Sequence, residues 1–464
     1  MDGGANIDTN EIPELVSGLK KFFRTGRTRP LEWRRRQLRG IEALMHEKES
    51  VFLDALAADV GKPRFEGWIS ETGFVASDAR HTAKHLAKWM KPEKVMTGVT
   101  NLPGSSRILR EPLGTVLIIG PFNYPLQLML SPLIGAIAAG NAAVLKPSEM
   151  TPHTSAAIAE WLPRYVDADA VKMVLGGIPE TTALLRERFD HIFYTGSTAV
   201  GRIVMRAAAE HLTPVTLELG GKSPCIIDRD VDIEVAARRI AWGKFFNAGQ
   251  TCVAPDYLLV HEAIEDAFLH RLTAKIQDFY GDDPEKSPDL ARIVNDRHHA
   301  RLSGLLGEGE IVCGGETNPE TRYIAPTVIR GVTRDMKIMQ EEIFGPILPV
   351  LTVRGVDEAI DFVNEGEKPL ALYVYTNDSA KSERVLAQTS SGGAAVNECV
   401  AHMVGPELPF GGVGQSGMGA YHGRASFETF SHQKSVLVKS TKLEPPLRYP
   451  PYTDGKEKIA RKIL

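Results

Sequence analysis

Five short apolar runs between residues 115 and 219, separated by segments of helical pattern, constrain this chain more than any other feature. They are TVLIIG at 115–120, AAVLK at 142–146, and the runs at 171–175, 191–194 and 215–219. These runs are largely apolar rather than alternating, as strands buried on both faces must be. The intervening stretches at 133–139 and 154–161, and one opened by 196–201 and running to about 209, read as helices. Strand–helix alternation of this length predicts a parallel sheet in an α/β domain. Ligands of such sheets bind beyond the carboxyl ends of the strands. Asn123, Lys146, Glu149 and the turn at 195–197 fall at those ends.

A second α/β pattern follows. It has a strand at 256–261, a helix at 263–279, a strand at 348–353, a helix at 357–364, and strands at 370–375 and 394–396. With 464 residues the chain exceeds one ordinary core, so two or three domains are expected. Residues 10–60 and 65–90 read as helices, because apolar residues recur three or four apart. Residues 94–110 read as irregular and polar, with a turn at Pro103-Gly104. The glycine-rich stretch 406–423 reads as a loop packed against a site through Phe410. Residues 435–439 read as an edge strand, a natural oligomer contact. The segment 445–452 reads as extended.

Several function classes are excluded. A net charge of -4 gives the whole chain no field for nucleic acid or membrane. The basic cluster Arg34-Arg35-Arg36 lies on an amphipathic helix and reads as a solvated face. The four cysteines, Cys225, Cys252, Cys313 and Cys399, form no CxxC. Neither a disulfide framework nor a metal site is therefore expected, and a reducing cytoplasm fits. Residues 1–9 carry no apolar signal core. The longest apolar stretch, 126–139, is broken by Ser131-Pro132 and Gly135 and is too short for a membrane anchor.

Three local patterns carry chemistry. GSTAVG at 196–201 places Gly196, Ser197 and Gly201 at the start of a helix, whose free N–H groups and dipole favour an anion. A dinucleotide pyrophosphate would suit it; a capped helix packed close to its strand accounts for it equally well, since the spacing is GxxxxG rather than GxGxxG. Glu218 ends an apolar run just before Gly220-Gly221. It is either a solvated carboxylate or one raised by burial into the range of a general base. Cys252, in FNAGQTCVAP at 246–255, follows a helix at 232–246 and precedes a strand. It is either a small buried hydrophobe or a nucleophile at the floor of a cleft.

Seven separated strings agree in type and order with one family: PFNYP at 121–125, LKPSE at 145–149, FYTGSTAVG at 193–201, LELGGKSP at 217–224, GQTCVAPDY at 249–257, EEIFGP at 341–346 and PFGGVGQSGMG at 409–419. The chain resembles the NAD(P)-dependent aldehyde dehydrogenases over essentially its whole length. The context of Cys252, the short N-terminus and the string Ala420-Tyr421-His422-Gly423 resemble the class 3 branch, which includes fatty aldehyde dehydrogenases. Phe122 stands where many relatives carry tryptophan.

The resemblance implies a Rossmann-like dinucleotide-binding domain (residues 1–93 and 113–220), a second α/β catalytic domain (221–416), and a small bridging or oligomerisation element (94–112 and 417–464). It implies Cys252 as nucleophile, giving a thiohemiacetal and then a thioester. Asn123 becomes an oxyanion donor with the backbone N–H of Cys252, and Glu218 the base that activates water. Ser197 would meet the pyrophosphate, Lys146 and Glu149 the adenosine ribose, and Glu342 and Phe344 the nicotinamide ribose and nicotinamide. NAD is expected as cofactor, with NADP as an alternative. Medium or long aliphatic or aromatic aldehydes are the expected substrates, with Tyr124, Phe410 and the loop 400–408 at the pocket. A homodimer is expected. A coenzyme A-acylating relative is the alternative reaction, disfavoured by the presence of Glu218. A non-enzymatic scaffold is disfavoured because Cys252, Glu218 and Asn123 are all retained.

Overall fold

A computed structural model describes residues 8–442, 444 and 446–463, so most of the stretch 1–9, and position 445 of the tail, lie outside the described residues. The expected alternation forms a six-stranded sheet. Its order runs Gly417–Met418, Val215–Glu218, His191–Thr195, Thr115–Ile119, Ala142–Lys146, Val171–Met173. Three of these strands, Thr115–Ile119, Ala142–Lys146 and His191–Thr195, are buried at every residue, which explains their unbroken apolar character. Parallel register sets Ile119 beside Lys146 and Tyr194, and Thr195 beside Glu218. The carboxyl ends therefore share one rim. The last strand is antiparallel, with Gly417 opposite Glu218. Only glycine fits there, since a Cβ on Gly417 would lie 2.1 Å from the Leu217 carbonyl oxygen.

The helix Gln127–Ala139 is buried at every residue and packs on this sheet and on the helix Gly73–Trp89. It starts six residues before the expected 133, because Pro132 is accommodated inside it.

A seven-stranded sheet follows, in the order Glu310–Cys313, Thr327–Arg330, Ile347–Val353, Tyr257–His261, Pro224–Ile227, Ala371–Tyr375, Gly393–Val396. The fold is thus α/β with two main sheets. Pro224–Ile227, near its middle, has no counterpart in the sequence reading. Its four residues open on a proline, which a strand tolerates at its first position.

Residues 94–110 are irregular only between 96 and 103, where they hold one 3-10 turn, Val99–Asn101, and a bend at Pro103. Glu93–Val95 and Gly104–Pro112 form an antiparallel sheet with Ser431–Lys439, paired from Ser431 with Pro112 to Lys439 with Gly104. Ser431–Lys439 is an outer strand, as expected, with Leu437 and Val438 exposed. Within the segment read as extended, Pro446–Arg448 form a single 3-10 turn, and the helix Asp454–Ile463 follows it. No helix among the described residues is long and apolar enough to cross a membrane.

Candidate active site

Cys252 lies between the helix Ile233–Phe245 and the strand Tyr257–His261. The connecting turn is tight. Asn247 and Ala248 have positive φ, and a Cβ on Gly249 would lie 2.2 Å from the Gly345 carbonyl oxygen. This turn is tied to the loop that follows the strand Thr115–Ile119. Asn123 Nδ2 donates to the Gln250 carbonyl at 3.0 Å, and Tyr124 Oη meets Thr251 Oγ1 at 2.6 Å. Asn247 Nδ2 donates back to the Asn123 carbonyl at 3.0 Å. Asn123 is buried, and one amide N–H remains beyond the Gln250 contact.

The Cys252 thiol is half-buried. Burial pushes its pKa up, and the carboxyls of Glu342 and Glu218 push it further; the backbone N–H groups of Cys252 and Val253 oppose them. Both effects disfavour the thiolate, so the nucleophile reading of Cys252 calls for a base to take the thiol proton. Glu218 is 2% exposed, and neither carboxyl oxygen has a partner among the described residues. Burial raises it well above the usual carboxylate range. A buried carboxyl without hydrogen bonds is costly and calls for a functional reason. Glu342 is pushed up to about 8, by burial and then by Asp256, against the opposing backbone N–H of Gly221.

The remaining predicted residues lie on the rim or beside it. Ser197 caps the helix Thr198–Ala209, its Oγ accepting from the Val200 N–H. Gly196 faces the Tyr194 hydroxyl and Gly201 the Leu219 side chain, each with no room for a Cβ. The Lys146 side chain is 2% exposed and lies 3.9 Å from the half-exposed carboxylate of Glu149. Its one hydrogen bond among the described residues goes to the Pro147 carbonyl. Phe344, at a positive φ of 50°, packs edge-on against Phe122, 5.7 Å between ring centres. A buried ammonium with spare donors beside a half-exposed carboxylate, and a helix N-terminus opened by Gly196 and Ser197, fit a dinucleotide with ribose hydroxyls and an anionic bridge.

Tyr124 and Phe410 are both buried. Phe410 stacks on His422, with 5.3 Å between ring centres. His422, Trp68, Ile69, Phe74, Val404 and Asp78 are among the residues lining a cavity of about 280 Å³. Tyr124 and Phe410 do not line it; Phe410 stands behind His422. Tyr421, next to His422, is wholly buried, and its ring lies 5.8 Å from that of Phe410.

Sequence reasoning passed over Lys62, Glu66 and Glu71, and quoted Asn247, Gln250 and Thr251 without a role. Glu66 accepts the Asn247 N–H at 3.0 Å, and burial pushes it up to about 8. A carboxyl raised on folding binds its proton more tightly in the folded state, so stability falls as pH rises through that value. Thermal melts from pH 5 to 9 should show a decline in Tm that is smaller by about 2 °C in Glu66→Gln.

The model of the aldehyde dehydrogenase family matches residues 4–436. The rat aldehyde dehydrogenase, dimeric NADP-preferring, is 49% identical over 444 residues, covering 95% of this chain and 98% of that protein. Mouse aldehyde dehydrogenase family 3 member A2 is 50% identical over 451 residues, covering 97% and 93%. The substrate-bound state of Staphylococcus aureus AldH superposes with a TM-score of 0.95 at 47% identity, covering 99% of each chain.

Proposed function

The chain belongs to the aldehyde dehydrogenase family, in its class 3-like branch, and from that premise we propose how its residues divide the oxidation of an aldehyde to its acid with NAD(P)+. The Cys252 sulfur attacks the carbonyl carbon, forming a C–S bond, while Glu218 takes the thiol proton. The uncommitted Asn123 amide N–H and the backbone N–H of Cys252 meet the oxygen as it gains charge. NAD(P)+, when bound, supplies the acceptor for the hydride that leaves this carbon. Lys146, Glu149, Ser197, Glu342 and Phe344 would hold it, on a cofactor domain of residues 1–93 and 113–220. Once Glu218 has passed the thiol proton to solvent, it draws a proton from water as that water attacks the thioester; the C–S bond breaks, the leaving thiolate takes this proton from Glu218, and acid and thiol are released.

One observation carries this reading: a fully buried, unpartnered carboxyl in electrostatic reach of the thiol. It favours water over coenzyme A as acyl acceptor. The half-exposed Glu149 repels a 2′-phosphate but can swing aside, so NAD is favoured and NADP accepted. The exposed outer strand Ser431–Lys439 supports a homodimer, and four free cysteines suit a reducing cytoplasm.

The cavity walled by Trp68, Ile69, Phe74 and Val404 suits a medium or long aliphatic or aromatic aldehyde. The test is acid formation from aldehydes of increasing length, without coenzyme A, with NAD and NADP side by side. Val404→Trp, which fills the cavity, should lower kcat/KM about 10-fold for long aldehydes and leave short ones unchanged. Strict dependence on coenzyme A would sink the hydrolytic reading, and equal losses at all lengths the assignment of the cavity.

A further inference from the structure

We propose that Lys62 and Glu71, which the reaction itself does not use, are positioning residues that aim the Asn123 amide. The inference rests on Asn123 being the oxyanion donor. Both side chains are wholly buried, with Lys62 Nζ 2.5 Å from Glu71 Oε1. The same ammonium donates to the Asn123 carbonyl at 2.9 Å and lies 4.1 Å from the centre of the Tyr124 ring. The other oxygen, Glu71 Oε2, accepts the N–H groups of Leu126 and Gln127 at 3.0 and 2.9 Å. These are orphan donors at the start of the helix Gln127–Ala139, whose N-cap makes no side-chain bond of its own.

The loop from Gly120 to Leu126 is thus held at three places. Gly120 N–H is bound to the Lys146 carbonyl at 3.0 Å, the Asn123 carbonyl takes Lys62 and Asn247, and the far end is fixed by Glu71. Holding the Asn123 peptide oxygen fixes the backbone from which its side chain projects. The Gln250 carbonyl then sets the amide's rotation. A buried ion pair is a poor source of stability compared with apolar packing, but it gives directional bonds that an apolar core lacks. Here its bonds converge on the loop that carries Asn123 and Tyr124. Displacement of a reacting group by about 1 Å can cost about 10²-fold in rate.

The experiment compares three reactions in Lys62→Met, Lys62→Arg and Asn123→Ala. The first is aldehyde-dependent NADH formation. The second is acylation of Cys252 by a p-nitrophenyl ester, which also passes through an oxyanion. The third is alkylation of Cys252 by iodoacetamide, in which sulfur displaces iodide and no oxyanion forms. Lys62→Met should slow the first two roughly 10- to 10²-fold and change alkylation less than about twofold, with KM for NAD unmoved and partial recovery in Lys62→Arg. Where Lys62→Met does not fold, the neutral pair Lys62→Met/Glu71→Gln, which leaves no lone buried charge, is read in its place. Normal rates in that variant beside a slowed Asn123→Ala overturn the positioning role alone. Alkylation falling in step with acylation also overturns it, since that marks general damage to the site. An Asn123→Ala enzyme with unchanged acylation removes the oxyanion reading, and this inference with it.

Discussion

Cys252→Ala loses aldehyde-dependent NADH formation, by about 10³-fold or more, while cofactor still binds. An aldehyde carbon gives up hydride only after a nucleophile has added to it. Alanine keeps the local packing but cannot add. The bonds that tie the two loops, Asn123 to Gln250 and Tyr124 to Thr251, do not involve the sulfur, so the site around it should persist. Steady-state NADH production with a fluorescence titration of NAD separates the two properties. Near-normal turnover in Cys252→Ala would refute the assignment.

Glu218→Gln is expected to lower kcat by roughly 10²- to 10⁴-fold, the range for a lost general base. The amide matches the carboxyl in shape but accepts no proton. Where hydrolysis of the thioester limits turnover, intact-protein mass spectrometry should find Cys252 carrying the acyl group. Burial raises both the thiol and this carboxyl, so wild-type rates should climb with pH as the pair sheds its proton, and the substitution should remove the part belonging to Glu218. Stability should move the other way. Glu218 has a higher pKa folded than unfolded, so its contribution is full at low pH and is lost as pH rises through its folded value. Glu218→Gln should flatten that decline in thermal melts. A variant with unaltered kcat and no acyl-enzyme would exclude the carboxyl from both steps.

The parallel sheet was legible because a strand covered on both faces writes its burial into consecutive residues, as at Thr115–Ile119 and Ala142–Lys146. The candidate site residues stood out because Asn123 and Glu218 follow or end apolar strand runs and Cys252 follows a glycine turn, while their proposed roles come from the family resemblance. Pairing over long separations left no such trace. Gly104–Pro112 reads as polar coil because its partner, Ser431–Lys439, lies more than 300 residues away and both strands are largely open to solvent. Ser131-Pro132 hid the first turns of the helix Gln127–Ala139, which tertiary packing holds together despite the proline. Lys62 and Glu71 have the composition of a surface, and only the assembled core turns them inward.

The antiparallel strand Gly417–Met418 seals the edge of the sheet beside Glu218, with the Leu219 N–H bound to the Ser416 carbonyl at 3.0 Å. A polypeptide leaving the ribosome produces Glu218 and Cys252 long before that sealing segment emerges. Until that segment pairs, the strand Val215–Glu218 has an unpaired edge of the kind that another chain can pair with.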